Sequence, residues 1–293
     1  MPAHFAAVLH AVTLTDDDAA AAARALEGAG AAVGPFERPA GADGPYAVLT
    51  ADVKLDAGHA AAARGALAGL GIGAALVPVG LREAERKLLI MDVDSTLIQQ
   101  EVIELLADYA GKREEVTAVT EAAMRGELDF AQSLHARVAT LANLPEDVIA
   151  KVRDAVVLSL GAEELIEAFH AGGHIVCVVS GGFEQILTPL AERLGLDHWR
   201  ANELEVADGK LTGRVLGEVV DRAVKERMLR EWAGQHGIPL EHCIAVGDGA
   251  NDLDMLGAAG LGVAFNAKPK VRAEADAAVD LPYLDVVRHL AGV

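Results

Sequence analysis

The stretch Asp92-Val93-Asp94-Ser95-Thr96 directly follows the apolar run Lys87-Leu88-Leu89-Ile90-Met91. The run predicts a strand, and two aspartates two residues apart at a strand end point the same way. One carboxylate could attack an electrophile while the other handles a proton, and together they could anchor a hard cation. The same pattern also occurs in solvated turns, so the rest of the chain has to decide between these interpretations.

Two further apolar runs end in polar loops. Ile175–Val179 leads into Ser180-Gly181-Gly182, and Cys243–Val246 leads into Gly247-Asp248-Gly249-Ala250-Asn251-Asp252. Between them, Lys225 opens a charged helical stretch. A chain that alternates strands and helices in this way predicts an α/β fold with a parallel sheet. In such sheets ligands bind at the carboxyl ends of the strands, where these loops lie.

Composition limits the possible functions. The chain has 293 residues, is 52% hydrophobic and carries a net charge of -19, which allows two domains and argues against nucleic-acid or anionic-membrane binding. Cys177 and Cys243 lie in apolar runs and are predicted to be buried thiols. The histidines lack metal-ligand spacing, and none is assigned a catalytic role. The amino terminus shows no charged leader or signal-like apolar core, so a cytoplasmic location is expected.

Residues 1–80 are predicted to form a separate small α+β domain. Its pattern is strand, helix, strand, strand, helix, strand, with strands near His4–Val12, Ala31–Glu37, Tyr46–Val53 and Gly73–Val79 and helices at Asp16–Glu27 and Ala57–Leu70. This split βαβ pattern is ferredoxin-like and resembles ACT-like regulatory domains, which bind amino acids or pair with a second copy. The turn Thr13–Asp16 lacks the glycine of the ligand-binding versions. Effector binding, homodimerisation and plain packing therefore all stay open.

Residues 81–293 are predicted to form the α/β domain. Residues from about 99 to 167 show helical patterning without a convincing strand, and this segment is too long for an ordinary connection. It is predicted to be a helical cap inserted after the first strand. Asn202–Val206 and Lys210–Val215, around Asp208-Gly209, predict a hairpin.

The order and content of these motifs resemble the haloacid dehalogenase superfamily, with a Rossmann-like parallel sheet and a helical cap. The D-x-D-S-T variant and the spacing of the later motifs resemble the phosphoserine phosphatases in particular. The resemblance implies that Asp92 is a nucleophile that forms an aspartyl-phosphate and that Asp94 is the general acid and base. It also implies Mg²⁺ held by the Asp92 carboxylate, the Asp94 backbone carbonyl and Asp248.

The remaining predicted site residues bind phosphate and substrate. Ser180 and Gly181 would donate hydrogen bonds to phosphate, Lys225 would supply positive charge, Asn251 would donate an amide hydrogen, and Asp252 would orient Lys225 or a metal-bound water. In the cap, Glu101 would bind the substrate ammonium and Arg137 its carboxylate, while Met124 and Phe130 would cover the site. Gly111 and Gly126 suggest that the cap moves.

The leading prediction is a Mg²⁺-dependent enzyme that hydrolyses O-phospho-L-serine in the last step of L-serine biosynthesis. Three alternatives stay open. One is a phosphotransferase that passes the phosphoryl group to homoserine, and another is a phosphatase of broader small-molecule specificity. The third, of another class, is an amino-acid sensor without turnover. Intact Asp92, Asp94, Lys225 and Asp248 argue against the sensor.

Overall fold

The computed structural model describes residues 2–42, 44–124 and 129–293. A four-stranded antiparallel sheet forms the amino-terminal unit, with strand order β2-β3-β1-β4 and two helices. Its elements are β1 (Pro2–Ala11), α1 (Asp16–Gly28), β2 (Ala32–Val33), β3 (Ala47–Asp56), α2 (Ala60–Ala68) and β4 (Gly73–Pro78). This is the predicted split βαβ order. Strand β2 is shorter than predicted, and an isolated bridge between Glu37 and Thr50 continues the pairing beyond it.

Alternation along β1 explains why this sheet is covered on both faces. Phe5, Ala7 and Leu9 pack with α1 and α2 in one hydrophobic cluster, while Ala6 and Val8 belong to the main core of the larger unit. Successive strand residues point to opposite faces, so one strand serves two cores. Helix α1 begins with a capping box in which Thr15 and Asp18 bond each other's main chain.

Specific polar contacts also join the two units. The Tyr46 hydroxyl donates a buried hydrogen bond of 2.6 Å to Oδ2 of Asp285. Arg82, in the short helix α3 (Val79–Arg82), donates to the carbonyl oxygens of His289 and of Leu290, the latter at 3.1 Å. The charged segment after β4 is therefore fixed against the carboxyl-terminal helix.

His10 is expected to make this junction sensitive to acid. Its ring is buried over Gly73, where a Cβ would lie 2.0 Å from Cε1 of the ring. Burial lowers the pKa of His10 to about 4, against the raising effect of Asp280. Between about pH 6.5 and 4 the unfolded chain binds a proton that the folded chain does not. Stability should therefore fall as the pH falls through this window, by about 3 kcal/mol from His10 alone.

Thermal melting across that pH window tests the expectation. His10→Leu should make the dependence of the melting temperature on pH less steep, because one of the buried histidines that gain a proton on unfolding is gone. His174 and His289, whose pKa values burial also lowers to about 4, account for the rest of the slope. The matched control is His4→Leu on the same strand, where His4 is exposed, and it should keep the wild-type slope. Equal slopes for wild type and His10→Leu would contradict this account.

The second sheet has seven strands in the order β11-β10-β9-β5-β6-β7-β8. All neighbours are parallel except β7 and β8, which form the predicted antiparallel hairpin. The strands are β5 (Leu88–Met91), β6 (Ile175–Phe183), β7 (His198–Ala207), β8 (Lys210–Leu216), β9 (Cys243–Gly247), β10 (Leu261–Phe265) and β11 (Ala277–Val279). Every residue of the central strands β5 and β9 is buried, as expected for parallel strands covered on both faces. Cys177 and Cys243 are free and buried, as predicted.

In the described residues between β5 and the helix that precedes β6, the chain forms four α-helices. They are α4 (Val102–Ala110), α5 (Arg113–Met124), α6 (Phe130–Ala139) and α7 (Asp147–Ala155). The helices of the sheet layers are α8 (Ala162–Ala171), α9 (Glu184–Leu194), α10 (Arg222–Gln235), α11 (Leu253–Ala258), α12 (Pro269–Glu274) and α13 (Val286–Ala291). Helix α8 packs against β6 and α13, so the inserted helices that can cover the site are α4 to α7. Among the described residues, no helix combines the length and apolar character needed to cross a bilayer.

Candidate active site

Asp92 lies at the carboxyl end of β5, where the chain leaves the sheet. Its Oδ1 accepts a hydrogen bond of 2.7 Å from the N–H of Val93. The chain then turns tightly through Ser95, whose φ of 57° lies in the left-handed region that most residues avoid. After this turn Asp94 remains close enough to Asp92 for the charge of Asp94 to act on the Asp92 carboxylate.

A buried lysine links two carboxylates from different loops. Nζ of Lys225, in the first turn of α10, lies 2.7 Å from Oδ1 of Asp92 and 2.7 Å from Oδ1 of Asp252. Lys225 and Asp252 are both 0% exposed, and Asp92 is 4% exposed. Burial alone would lower the pKa of Lys225, but the charges of Asp252 and Asp92 raise it above its ordinary value. Lys225 is therefore a permanent cation beside Asp92.

Asp94 is held by one hydrogen bond to each carboxylate oxygen. The N–H of Val102 donates to Oδ1 at 2.7 Å, and the hydroxyl of Ser180 donates to Oδ2 at 2.8 Å. Burial, and then the charge of Glu101, raises the pKa of Asp94 to about 6. This carboxyl group can therefore carry or release a proton near neutral pH, which is what proton transfer in both directions requires.

The Ser180-Gly181-Gly182 segment of β6 wraps closely around Asp94. A Cβ at position 182 would lie 2.7 Å from Oδ2 of Asp94 and 2.9 Å from Oγ of Ser180, so only glycine fits there. At position 181 a Cβ would lie 3.2 Å from Cζ of Phe130. The Phe130 ring, from the start of the inserted helix α6, therefore rests directly against this segment.

Three carboxylates converge where a cation could bind. Asp92, Asp248 and Asp252 each offer an oxygen within 4.8 Å of the others. Burial, and then the charges of Asp252 and Glu101, raises the pKa of Asp248 to about 7, which shows that these groups repel one another's charge. In Asp252, Oδ1 contacts Lys225 and Oδ2 accepts from the N–H of Gly249 at 3.0 Å. All-oxygen carboxylate donors suit a hard divalent cation.

Glu101 and Arg137 line the side of the site formed by the inserted helices. Glu101 precedes α4 and accepts a hydrogen bond of 2.8 Å from the Ser95 hydroxyl. Nε of Arg137 donates to the carbonyl oxygen of Ser133 at 3.3 Å. Burial lowers the pKa of Arg137, while the charges of Glu101 and Asp94 oppose that effect. The guanidinium group therefore lies within electrostatic reach of both carboxylates.

The structure brings together most of the residues predicted from sequence. Asp92, Lys225 and Asp252 form one ionic network, and Asp94 and Ser180 form a separate hydrogen-bonded pair beside it. Glu101, Phe130, Arg137, Gly181 and Asp248 surround these two groups. Asn251 lies in the same loop as Asp248, and its Oδ1 would meet a Cβ at Gly249 at 2.2 Å; its described contacts stay within that loop. Met124 ends α5, and its side chain falls outside the described part, as does Gly126.

Sequence reasoning missed two supporting residues. Ser95 directs Glu101 through its hydroxyl, and Gly182 provides the space that Asp94 and Ser180 occupy. Both stand inside motifs that were recognised. The direction of the Ser95 hydroxyl depends on the tight turn at its positive φ, which the sequence does not show. The need for glycine at position 182 depends on contacts across the sheet edge, which sequence does not show.

Comparisons with known proteins agree with this geometry. A model of the haloacid dehalogenase-like hydrolase family matches residues 89–257. A phosphoserine phosphatase of Streptomyces coelicolor is 59% identical over 77% of this chain and 55% of its own length, so the match spans about half of that relative. A phosphoserine phosphatase of Streptococcus thermophilus is 51% identical over 67% of this chain and 92% of its own length.

A solved structure resembles almost the whole chain. It is a probable phosphoserine phosphatase from Vibrio cholerae in unliganded form, with a TM-score of 0.76, 37% identity and coverage of 98% of this chain and 87% of that one. The family match covers more than half of this chain, and the Streptococcus relative is matched over most of its own length. The chain therefore belongs to the haloacid dehalogenase-like hydrolases, and the relatives compared here within that family are phosphoserine phosphatases.

Proposed function

We propose that this chain is a Mg²⁺-dependent phosphatase that hydrolyses O-phospho-L-serine to L-serine and phosphate, the last step of L-serine biosynthesis. One observation carries the proposal. Asp92 lies 2.7 Å from a fully buried lysine, while nearby Asp94 accepts the Ser180 hydroxyl. A nucleophile, a fixed cation and a proton donor thus stand in one site. The names of the relatives support the choice of substrate.

In the first half-reaction Asp92 attacks phosphorus, and the bond between phosphorus and the serine oxygen breaks. Asp94 donates its proton to the departing serine oxygen, so serine leaves as the neutral alcohol. The raised pKa of Asp94, about 6, makes the protonated form that this step needs more accessible near neutral pH than it is for an ordinary aspartate. In the second half-reaction Asp94 accepts a proton from water, which attacks the aspartyl-phosphate. Phosphate leaves, and both aspartates return to their starting states.

Charge on the transferring phosphoryl group is neutralised by groups of this chain. Lys225 stays protonated because two carboxylates surround it. The N–H of Gly181 and the amide of Asn251 are further donors in this proposal. The Ser180 hydroxyl was predicted to donate to phosphate, but its one proton is directed to Asp94. Asp252 holds Lys225 in place through its 2.7 Å contact. Donors that are fixed in advance stabilise a developing charge without having to reorient.

Asp92, the backbone carbonyl of Asp94 and Asp248 would hold Mg²⁺. The fit rests on the donor set, because oxygen ligands in a cluster of mutually repelling carboxylates suit this ion. When bound, Mg²⁺ supplies positive charge that keeps Asp92 ionised and lets it approach an anionic phosphate. One carboxylate oxygen of Asp252 contacts Lys225 and the other accepts from the N–H of Gly249, so Asp252 would stabilise the site without being one of the three metal ligands.

Glu101 and Arg137 would select the amino-acid part of the substrate. Glu101 would bind the α-ammonium, held in place by Ser95, and Arg137 would bind the α-carboxylate through two parallel hydrogen bonds. Phe130 and Met124 would cover the site and exclude water. A site built around paired charges strongly rejects substrates that lack them.

Arg137→Lys is expected to raise KM for O-phospho-L-serine by about tenfold or more and to change kcat less. Lysine keeps the charge but loses the planar fork that binds a carboxylate at two points. Glu101→Gln should act similarly on the ammonium side. Steady-state kinetics with O-phospho-L-serine and with phosphoethanolamine, which lacks the carboxylate, measures this. The Arg137→Lys effect should disappear with phosphoethanolamine, and an equal loss with both substrates would contradict the carboxylate clamp.

Phosphate release tests the proposed function. The purified chain is incubated with Mg²⁺ and O-phospho-L-serine, beside a panel of other phosphomonoesters and a sample treated with chelator. Fast release from O-phospho-L-serine that the chelator stops is the expected result. Comparable release from many esters would support the phosphatase mechanism but contradict the assignment of O-phospho-L-serine as the specific substrate. No release from any ester would leave the sensor alternative.

The phosphotransferase alternative uses the same aspartyl-phosphate. It differs only in whether water or a hydroxyl acceptor takes the phosphoryl group. Homoserine added to the phosphate-release assay separates the two, because a transferase would form phosphohomoserine and release less phosphate.

A cytoplasmic location and a homodimer formed through the amino-terminal sheet complete the proposal. Light scattering on the purified chain measures the number of copies.

A further inference from the structure

Asn202 lies where β6 and β7 lose their register. The paired positions are Val179 with Arg200 and then Phe183 with Asn202. Four residue positions along β6 therefore lie opposite only two along β7. The extra residues, Ser180-Gly181-Gly182, form a bulge that interrupts the hydrogen bonding between the two strands. A bulge takes main-chain groups away from their ladder partners, and buried groups of this kind need another partner.

The side chain of Asn202 supplies that partner. Its Nδ2 donates to the carbonyl oxygen of Gly181 at 2.8 Å, and its Oδ1 accepts from the N–H of Val220 at 2.8 Å. Asn202 is 1% exposed, and its hydrogen bond to Val220 is buried, whereas the one to Gly181 is partly buried. Val220 directly precedes Asp221, the N-cap of the helix that carries Lys225. One amide thus joins the bulge to the start of that helix.

Hydrogen bonds continue from this amide to Asp94. The carbonyl of Gly181 and the N–H of Gly182 belong to one planar peptide unit, so holding the first orients the second. The N–H of Gly182 donates to Oγ of Ser180 at 2.7 Å, and the Ser180 hydroxyl donates to Oδ2 of Asp94 at 2.8 Å. A serine hydroxyl has one proton, and with its oxygen accepting from Gly182 that proton is directed to Asp94.

We propose that Asn202 is a positioning residue for phosphoryl transfer, which holds the Gly181–Gly182 peptide and thereby keeps the Ser180 hydroxyl on Asp94. The inference rests on the proposed function and adds a residue that does not touch the substrate. A reacting group displaced by about 1 Å can lose about 10²-fold in rate. Loss of the Asn202 amide should therefore lower kcat by about 10- to 100-fold and change KM by less.

A matched pair of variants tests the position of the amide. Asn202→Leu replaces the amide with its apolar isostere. Gln185→Leu is the control, because the Gln185 amide, like that of Asn202, donates one hydrogen bond to a main-chain carbonyl and accepts one from a main-chain N–H. Both bonds go to Leu204 in β7, at 2.8 Å to its carbonyl oxygen and at 3.1 Å from its N–H. Both variants should melt at a lower temperature than wild type. Only Asn202→Leu should lose kcat, whereas comparable kcat losses in the two would overturn the inference.

A double-mutant cycle with Ser180→Ala tests the route through the hydroxyl. If Asn202 acts through Ser180, adding Asn202→Leu to Ser180→Ala should lower kcat by less than about threefold, since the group being positioned is already gone. If the kcat losses of the two single variants simply multiply in the double variant, the inference is overturned. Gln185→Leu should behave the same in both backgrounds.

A second variant covers the case in which Asn202→Leu does not fold. Asn202→Asp at mildly alkaline pH keeps an oxygen for the Val220 N–H but has no proton to donate to Gly181. It should lose kcat as well, and wild-type kcat in folded Asn202→Asp would overturn the inference. Wild-type turnover is measured first. Its absence contradicts the proposed function and this inference together, whereas normal turnover with unaffected Asn202 variants contradicts this inference alone.

Discussion

Asp92→Asn is expected to lower phosphate release from O-phospho-L-serine by about 10⁴-fold or more, because an amide cannot form the aspartyl-phosphate. The melting temperature should stay equal or rise. Burial, and then the charge of Asp252, raises the pKa of Asp92 well above its ordinary value, which means that the folded protein holds this carboxylate at a cost. This variant should therefore lose activity without losing stability.

Asp254→Asn is the matched control for Asp92→Asn. Asp254 lies two residues after Asp252 on α11 and pairs at the surface with Arg222. The same chemical change there should leave kcat within about twofold, since exposed ion pairs contribute little. Substantial turnover by Asp92→Asn would contradict a role as nucleophile. A large drop in its melting temperature would show instead that Asp92 mainly holds the fold together.

Lys225→Met is expected to cost about 3–5 kcal/mol of stability, because it leaves Asp92 and Asp252 as neighbouring buried anions without their cation. Turnover should also be lost, since one of the two carboxylates would take up a proton in place of the missing charge. Urea unfolding measures the stability change, and phosphate release measures the activity. A loss of stability below about 1 kcal/mol would contradict a buried ion triad.

Two further variants separate stability from catalysis at Lys225. Arg222→Met removes a positive charge from the same turn of α10, where the side chain is 45% exposed, and should change stability by less than about 1 kcal/mol. Lys225→Met combined with Asp252→Asn removes one of the two stranded anions and should recover part of the lost stability. It should not recover turnover, because the charge that neutralises phosphate is still missing.

Much of the fold could be predicted because several local patterns, taken in their order along the chain, agreed on one architecture. Apolar runs that end in Asp92, Ser180 and Asp248 fit strands of a parallel sheet, and the observed strand order brings the three loops to one edge. The split βαβ pattern of the first 80 residues likewise matches the observed sheet. Its likeness to ACT-like domains remains a prediction, as does the division into domains.

The junction between the two units was beyond prediction. Tyr46 and Asp285 are 239 residues apart, and no local pattern pairs them. His10 continues the alternation of β1, which shows only that its side chain points to one face of the sheet. What covers that face is decided by the tertiary structure. Nothing local to the segment after β4 indicates that Arg82 holds the carboxyl-terminal helix.

The sequence indicated which residues form the site more clearly than what each residue contacts there. The spacing of Asp92 and Asp94 predicted that both carboxylates would serve the site, and the catalytic roles of the two residues remain predictions. Lys225 was predicted to supply positive charge at the site, but a lysine near a helix start gives no local sign of burial, and the structure buries it fully. Asn202 was predicted only as part of a hairpin strand, because the bulge that it holds appears only when β6 and β7 are paired.

The formation of a phosphoryl bond to Asp92 tests the central claim most directly. The wild-type chain is mixed with O-phospho-L-serine and Mg²⁺, quenched within one turnover, digested and analysed by mass spectrometry. A phosphoryl group on the peptide that contains Asp92, transient in wild type and absent in Asp92→Asn, is the predicted result. Rapid phosphate release without any phosphorylated peptide, or a phosphoryl group carried by a different residue, would contradict the account.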